Sequence, residues 1–378
     1  MNKLLLNICC WFIPKKKNKR HFREKHLIFC EKSIDTTQNL FRGNINDIFH
    51  EIIQHIPSPD DKKYKQECIS IFLSANDDYA KYAAITMASI LYNTNSFVDF
   101  YIMSDYISPE NQVKIKKLKE KFYNFSVEFL NVDDDIFKKF NTWCGNFAPY
   151  NRFLIPMLKP NINRAIYLDV DICLFGDIKD LWKQNLDGKI VGWVIDDVFL
   201  GYHSNLTKGA LLSNNWFNSG VMLFDYEKWR EKEGSSENIV NKLFEIKTKM
   251  GDTGLMDQPV FNRYFAENKE YKKLDFKFNG MSIISKMAEL KGSVYSKKEI
   301  KLLKEILNLD LTTYKPLIRH YTSRNKPQTN LYPKVTEKNH WFIIKDYPLA
   351  DFEKFWFYAK MTEFYDECKK LFERTNEV

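Results

Sequence analysis

Glycine and proline are scarce in this chain of 378 residues, 13 and 12 respectively, which excludes collagen-like and low-complexity architectures. Cysteine is scarce too. Cys9, Cys10, Cys30, Cys68, Cys144, Cys173 and Cys368 make an odd number at irregular spacing, without any Cys-x-x-Cys pair. A structural zinc site is therefore not expected. A chain this long needs no disulfide framework, and a reducing cytoplasm is the simplest compartment. Zinc-finger and RNP-like motifs are missing, as is any long basic helix with interleaved aromatics. The net charge of +8 is concentrated between Lys15 and Lys25, where seven basic residues accompany one acid. The remainder is only faintly basic, so nucleic acid is not expected as a partner.

Hydrophobic residues make up 44% of the chain and aromatics 15%, enough to bury a sizeable core. The length suits one large α/β domain with appendages. Residues 4 to 13 form an apolar run followed by Pro14 and the basic cluster. That run is about half the ~20 residues that a spanning helix needs. Its charges follow rather than precede it, and no small-residue cleavage site comes after, unlike a secretory signal. Two readings stand. One is an interfacial anchor over residues 4–25, with each Lys or Arg drawn to anionic lipid by about 1 kcal/mol. The other is a basic tail whose apolar start packs on the domain.

A connecting region is expected over residues 31–66, with one short helix near 45–55. Strand patterns follow at 68–74, 97–103, 126–132, 164–171, 190–195 and 317–321. Helical patterns intervene at 80–92, 109–122, 149–158, from Tyr226 and from Asp257, and the chain is helical and aromatic-rich from Tyr347. Strands alternating with helices predict a largely parallel sheet flanked by helices. The aromatic tail is expected to pack on the main domain, with a membrane or ligand contact as the alternative.

The sharpest chemical signal is Asp169-Val170-Asp171 after the apolar strand Ala165-Ile-Tyr-Leu168. Ligands of open α/β sheets lie beyond the carboxyl ends of the strands. Two carboxylates one residue apart lie on the same side of an extended chain. Their repulsion is relieved by a hard cation with oxygen ligands, which keeps positions open for phosphate oxygens. Asp-x-Asp alone is weak evidence. The chain also carries Asp133-Asp134-Asp135 in a polar stretch, where a solvated loop is expected.

The run Arg164-Ala-Ile-Tyr-Leu-Asp-Val-Asp-Ile-Cys-Leu-Phe-Gly-Asp-Ile-Lys-Asp-Leu-Trp182 resembles the metal-binding segment of family 8 glycosyltransferases. These are retaining enzymes of the GT-A fold, a group that includes bacterial lipopolysaccharide galactosyl- and glucosyltransferases and glycogenin. Four more segments match in the family's order: Ser74-Ala-Asn-Asp-Asp-Tyr79, Phe217-Asn-Ser-Gly220, Met256-Asp-Gln258, and His320-Tyr321 with Lys326-Pro327. The resemblance implies a Rossmann-like GT-A catalytic domain over residues 67–327; the composition of the flanking stretches adds a basic, apolar membrane-association segment over 1–30, a linker with a short helix over 31–66 and a helical extension over 328–378.

The resemblance also assigns roles. Asp169, Asp171 and His320 would hold the metal, Mn2+ or else Mg2+. Ser74, Ala75, Asn76, Asp78 and Tyr79 would surround the nucleotide, with Tyr79 stacked on the uracil; Asp169, Val170, Asp171 and Lys326 would complete that site. Asn76 stands where the family usually has Asp. Arg152, Asp196, Asn218, Asp257 and Gln258 would bind the transferred sugar. Asp257, Gln258 and Lys326 would serve catalysis, Lys326 on the diphosphate. Ser323 replaces a family glycine before Lys326, and Pro259 replaces a frequent acid. Taken alone, Asp257 also fits a helix cap, and Asp78 fits the cap of a strand-to-helix turn.

The expected activity is transfer of a hexose, galactose or glucose, from a UDP-sugar to a saccharide acceptor such as lipopolysaccharide or lipooligosaccharide core, with retention. The setting is the cytoplasmic face of a bacterial inner membrane. The rival is a non-catalytic, membrane-associated nucleotide-sugar-binding protein of the same fold. A pyrophosphorylase is disfavoured because no Gly-rich phosphate loop lies near the first strand.

Overall fold

The computed structural model describes residues 68–142, 145–196, 216–281, 315–322 and 349–376. The anchor read at 4–25, the short helix read at 45–55, Asp197 and the Lys326-Pro327 pair lie outside these residues.

Apolar and β-branched residues build a seven-stranded sheet. Its strands are β1 (Cys68–Ser74), β2 (Phe97–Ser104), β3 (Phe125–Asn131), β4 (Arg164–Leu168), β6 (Val191–Ile195), β7 (Phe217–Asp225) and β8 (Tyr271–Lys273), in the order β3-β2-β1-β4-β7-β6-β8. Pairing is parallel from β3 to β4 and between β6 and β8. Only β7 runs against its neighbours β4 and β6. A smaller antiparallel pair joins β5 (Ile172–Leu174) to β9 (Ile318–His320).

The reversed direction of β7 matters for function. Its amino end lies beside the carboxyl ends of β4 and β6. Leu168 pairs with Val221, and the Asp169 amide donates to Gly220 O at 2.9 Å. Ile195 pairs with Phe217, and the Asp196 amide donates to Trp216 O at 2.9 Å. Three chain segments thus converge on one sheet edge.

The helix α1 (Ala80–Asn93) buries eleven of its fourteen residues. Two of these are polar. Thr86 Oγ1 shares its one proton between Ile172 O at 2.8 Å and Val170 O at 3.1 Å, and Ser89 Oγ accepts from the Leu174 amide. Each such buried bond contributes about 1 kcal/mol, and together they brace the loop that carries Asp171.

Two helices are shorter than the periodicity predicts. In α2 (Pro109–Lys116) Ser108 caps the first turn and Pro109 suits it, but the chain tightens into a 3-10 turn over Lys117–Glu120. Residues Ala148–Leu154 are also 3-10, followed by one α turn over Ile155–Leu158. Pro156 has no N–H to donate to Arg152 O, so a continuous α-helix cannot run through it. Further helices are α3 (Ser236–Met250), α4 (Gln258–Asn268), α5 (Leu349–Ala359) and α6 (Tyr365–Asn376). Phe355, Trp356, Tyr358 and Phe364 are buried in the same core as the sheet. Tyr358 Oη donates to Leu174 O at 2.8 Å.

The Asp133-Asp134-Asp135 run is not simply a solvated loop. Asp133 accepts from the Asp135 amide and starts a 3-10 turn. Asp134 is half-buried, and burial, with Asp105 adding, pushes its carboxyl up to about 6.

Candidate active site

Asp169, Asp171 and His320 come together. One ligand atom from each lies within 4.8 Å of the other two. The pairing of Ile172 with His320, and the Tyr321 amide donating to Asp171 O at 2.9 Å, bring β9 alongside the aspartates. His320 Nε2 is 3.0 Å from Asp171 Oδ1 and 3.7 Å from Asp169 Oδ2. Adjacent ligands on an octahedral ion with ~2.1 Å bonds sit about 3 Å apart, so the group fits a divalent ion with small adjustment. The space is also kept clear. A Cβ on Gly220 would stand 2.3 Å from His320 Cε1 and 2.6 Å from Asp169 Oδ2.

Asp169 divides its two oxygens. Oδ1 accepts from Arg152 Nη2 and Tyr167 Oη, both at 2.9 Å, while Oδ2 faces His320. Tyr167 and Asp169 share one side of the chain because they are two residues apart. The Arg152 guanidinium lies 4.2 Å from the centre of the Tyr167 ring and donates through Nη1 to Ser219 O. Burial acts to lower the Arg152 pKa, but Asp169 and Asp257 outweigh it, and the group stays charged.

Asp257 sits at the N-terminal boundary of α4, yet its side chain caps nothing. Its Oδ2 lies 3.3 Å from Arg152 Nε, whose hydrogen goes to Pro149 O instead. Burial pushes the Asp257 carboxyl up to about 6, against the pull of Arg152. The backbone just before it is unusual, with Met256 at φ 58°.

The remaining sugar-site candidates form one buried network. Gln258 Nε2 donates to Asp196 Oδ2 at 2.8 Å, and the Ser219 amide donates to Gln258 Oε1 at 3.1 Å. Asn218 Nδ2 donates to Asp196 Oδ2 at 3.2 Å, and the Gly220 amide donates to Asn218 Oδ1 at 2.9 Å. Asn279, fully buried, lies between this network and the metal candidates. It contacts Asn218 Oδ1 and His320 Nδ1, each at 2.9 Å. Sequence reasoning missed Asn279, as well as Tyr167 and Ser219. Tyr167 had a signal in its two-residue offset from Asp169.

Ser74, Ala75, Asn76, Asp78 and Tyr79 lie at the carboxyl end of β1. Ser74 Oγ donates to Ala148 O and accepts from Asn151 Nδ2, tying this segment to the turn that carries Arg152. Asn76, not Asp78, caps the following 3-10 turn, its Oδ1 accepting from the Tyr79 amide. Asp77 accepts from the Ser108 amide and Asn111 Nδ2, a structural use. Tyr79 is 41% exposed, its ring edge-on to Tyr82.

Comparison with known proteins gives this geometry a context. The family described as "Glycosyl transferase family 8" matches residues 70–329. Glycosyltransferase GlyF of Streptococcus pneumoniae serotype 4 is 30% identical over 279 residues, 73% of this chain and 61% of that protein. The lipopolysaccharide 1,2-glucosyltransferase of Escherichia coli K12 is 26% identical over 278 residues, 71% of this chain and 76% of that one. This chain thus spans about three fifths of the length of GlyF. The crystal structure of galactosyltransferase LgtC with donor and acceptor sugar analogs superposes with a TM-score of 0.57 at 18% identity, over 73% of this chain and 95% of that chain. At that identity the likeness concerns the fold, a GT-A-like, mostly parallel sheet flanked by helices. With the family matched across more than half its length, this chain is a member of glycosyltransferase family 8.

Proposed function

We propose that this protein is a metal-dependent retaining hexosyltransferase that uses a UDP-sugar, UDP-galactose or UDP-glucose. The carrying observation is the convergence of Asp169, Asp171 and His320 beside the buried network of Asp196, Asn218 and Gln258. Two carboxylates and one imidazole suit manganese, with magnesium as the alternative. When bound, the ion would neutralise charge on the departing diphosphate. Asp171 and Asp169 Oδ2 would hold it, while Arg152 and Tyr167 keep Asp169 from turning. Tyr79 is exposed at the carboxyl end of β1, as a surface for stacking a uracil requires. Lys326, outside the described residues, would meet the diphosphate as a point charge.

Arg152, Asp196, Asn218, Asp257 and Gln258 would grip the hexose hydroxyls. An epimer that leaves such buried partners unpaired is rejected strongly. Gln258 is poorly suited to act as a nucleophile, because its carbonyl oxygen already accepts from the Ser219 amide and its nitrogen donates to Asp196. Retention is then best served by front-face substitution. The bond from the anomeric carbon to the diphosphate oxygen breaks, the acceptor oxygen attacks from the same face, and its proton passes to a phosphate oxygen. A covalent sugar adduct on Asp257 or Gln258, trapped with donor alone, would refute this route.

The relationship to a lipopolysaccharide glucosyltransferase, together with the apolar run and basic cluster over residues 4–25, supports a saccharide acceptor linked to lipid on the cytoplasmic face of a bacterial inner membrane. In this reading residues 67–327 form the catalytic unit, between a membrane-association segment at 1–30, a linker at 31–66 and a helical extension at 328–378. Among the described residues no helix is long and apolar enough to cross a membrane. The test is UDP release from a panel of UDP-sugars with and without manganese. Release from one donor that needs manganese and disappears in Asp171→Ala is expected. No release from any donor, with no manganese-dependent UDP binding, would favour a non-catalytic protein of this fold or one that uses a different nucleotide.

A further inference from the structure

One backbone donor determines the polarity of a chain of side chains around the site. The Gly220 amide can only donate, and at 2.9 Å it identifies the facing Asn218 atom as Oδ1. The Asn279 atom that meets the same Oδ1 at 2.9 Å must then be its Nδ2. Asn279 therefore turns Oδ1 toward His320, where it stands 2.9 Å from Nδ1. An amide oxygen only accepts, so Nδ1 must carry the ring proton. Nε2, 3.0 Å from Asp171 Oδ1 and 3.7 Å from Asp169 Oδ2, is then the nitrogen placed to ligate an ion. In the other direction, the Asn218 amide donates to Asp196, a carboxylate that accepts there.

We propose that Asn279 is a positioning residue that couples the metal candidates to the sugar-binding amides. It makes His320 present Nε2 as a ligand and helps hold Asn218 with its amide toward Asp196. This rests on the function proposed above. Asn279 does not touch the reacting atoms. Each of its two ends has a separate task, and a single isosteric change separates them. In Asn279→Asp, the side chain still accepts from His320 Nδ1 but can no longer donate to Asn218. In Asn279→Ala, both links are lost.

The experiment measures manganese affinity by titration and the affinities of UDP and of the UDP-hexose the protein prefers, in the full-length wild type and both variants. Asn279→Ala is expected to weaken manganese binding about 10- to 100-fold, the usual effect of losing the partner of a metal-bound histidine. Asn279→Asp is expected to keep manganese affinity within about threefold while lowering the preference for UDP-hexose over UDP about tenfold, the effect of one buried hydrogen bond. Equal effects of the two variants on both affinities would overturn the proposal, as would an unchanged UDP-hexose preference in Asn279→Asp.

Selective 15N-histidine NMR of the metal-free wild type provides a readout that needs no variant to fold. His320 is expected to carry a proton on Nδ1, and a ring protonated at Nε2 alone would refute the relay. A wild type that binds manganese but no UDP-hexose would sink the proposed function, and the ring-nitrogen result would then decide the relay alone.

Discussion

Gly220 offers the sharpest test of the metal centre, because it contributes only the lack of a side chain. Its φ is outside the left-handed region, so alanine is allowed on backbone grounds and any penalty comes from contact. An alanine Cβ would stand 2.3 Å from His320 Cε1, 2.6 Å from Asp169 Oδ2 and 3.0 Å from Asn218 Oδ1. Ordinary contact begins at 3.4 Å, so the imidazole must retreat by about 1.1 Å or the strand must bend. Neither neighbour is a loose end. His320 is held by Asn279 and by its strand pairing, and Asp169 by Arg152 and Tyr167. Metal ligands tolerate displacements of only about 0.2 Å. Gly220→Ala is therefore expected to weaken manganese binding about 100-fold or more, and overpacking should cost about 1–3 kcal/mol of stability. Manganese titration together with urea unfolding reads both effects. Gly176→Ala is a suitable control, since its Cβ would meet only the Leu317 side chain, at 3.2 Å. Manganese affinity in Gly220→Ala within about threefold of wild type would refute the assignment of these residues to one ion.

Two further expectations follow from buried polar groups. The Asp257 carboxyl sits at about 6 in the fold against an ordinary 3.8, so the native state holds the extra proton between those values and stability falls as pH rises through that window. Asp257→Asn should remove about 2 kcal/mol of this dependence between pH 4.5 and 7; urea midpoints at those two pH values in metal-free buffer measure it, and an unchanged difference between them would count against a strained buried carboxylate. Tyr358→Phe removes the donor to Leu174 O, while Asn93 Nδ2 still donates to that carbonyl, so a loss of only about 1 kcal/mol is expected in guanidinium unfolding. An unchanged midpoint would show that the hydroxyl contributes nothing to the attachment of α5.

Much of the site was legible in the sequence because strands carry it. Apolar runs such as Ala165-Ile-Tyr-Leu168 have few places to go other than the middle of a sheet, and whatever follows them emerges at its edge. Asp169 and Asp171 thus declare their position through their neighbours. The sugar-site candidates were assigned only through the resemblance of their segments to the family, and they lie where strands and helices end or begin. What the pattern could not convey was the direction of β7. Every residue from Phe217 to Phe224 is buried, so the run has no alternation from which a face could be read, and direction is fixed only by pairing with β4 and β6.

Local capping was equally hidden. Asn76 and Asp78 both suit a cap, and the choice of Asn76 depends on a backbone φ of −89° that composition does not encode. Asn279 is the extreme case. It follows a single 3-10 turn, lies 41 residues in sequence from His320 and 61 from Asn218, and belongs to no periodic pattern. In the proposed relay it accepts from an imidazole on one side and donates to an amide on the other. That requirement exists only once three distant segments have been brought to the same edge. Residues that bind a ligand are confined to the ends of elements and leave a trace in sequence order. Residues that orient them need only the right two atoms at the right distance, and any loop can supply those.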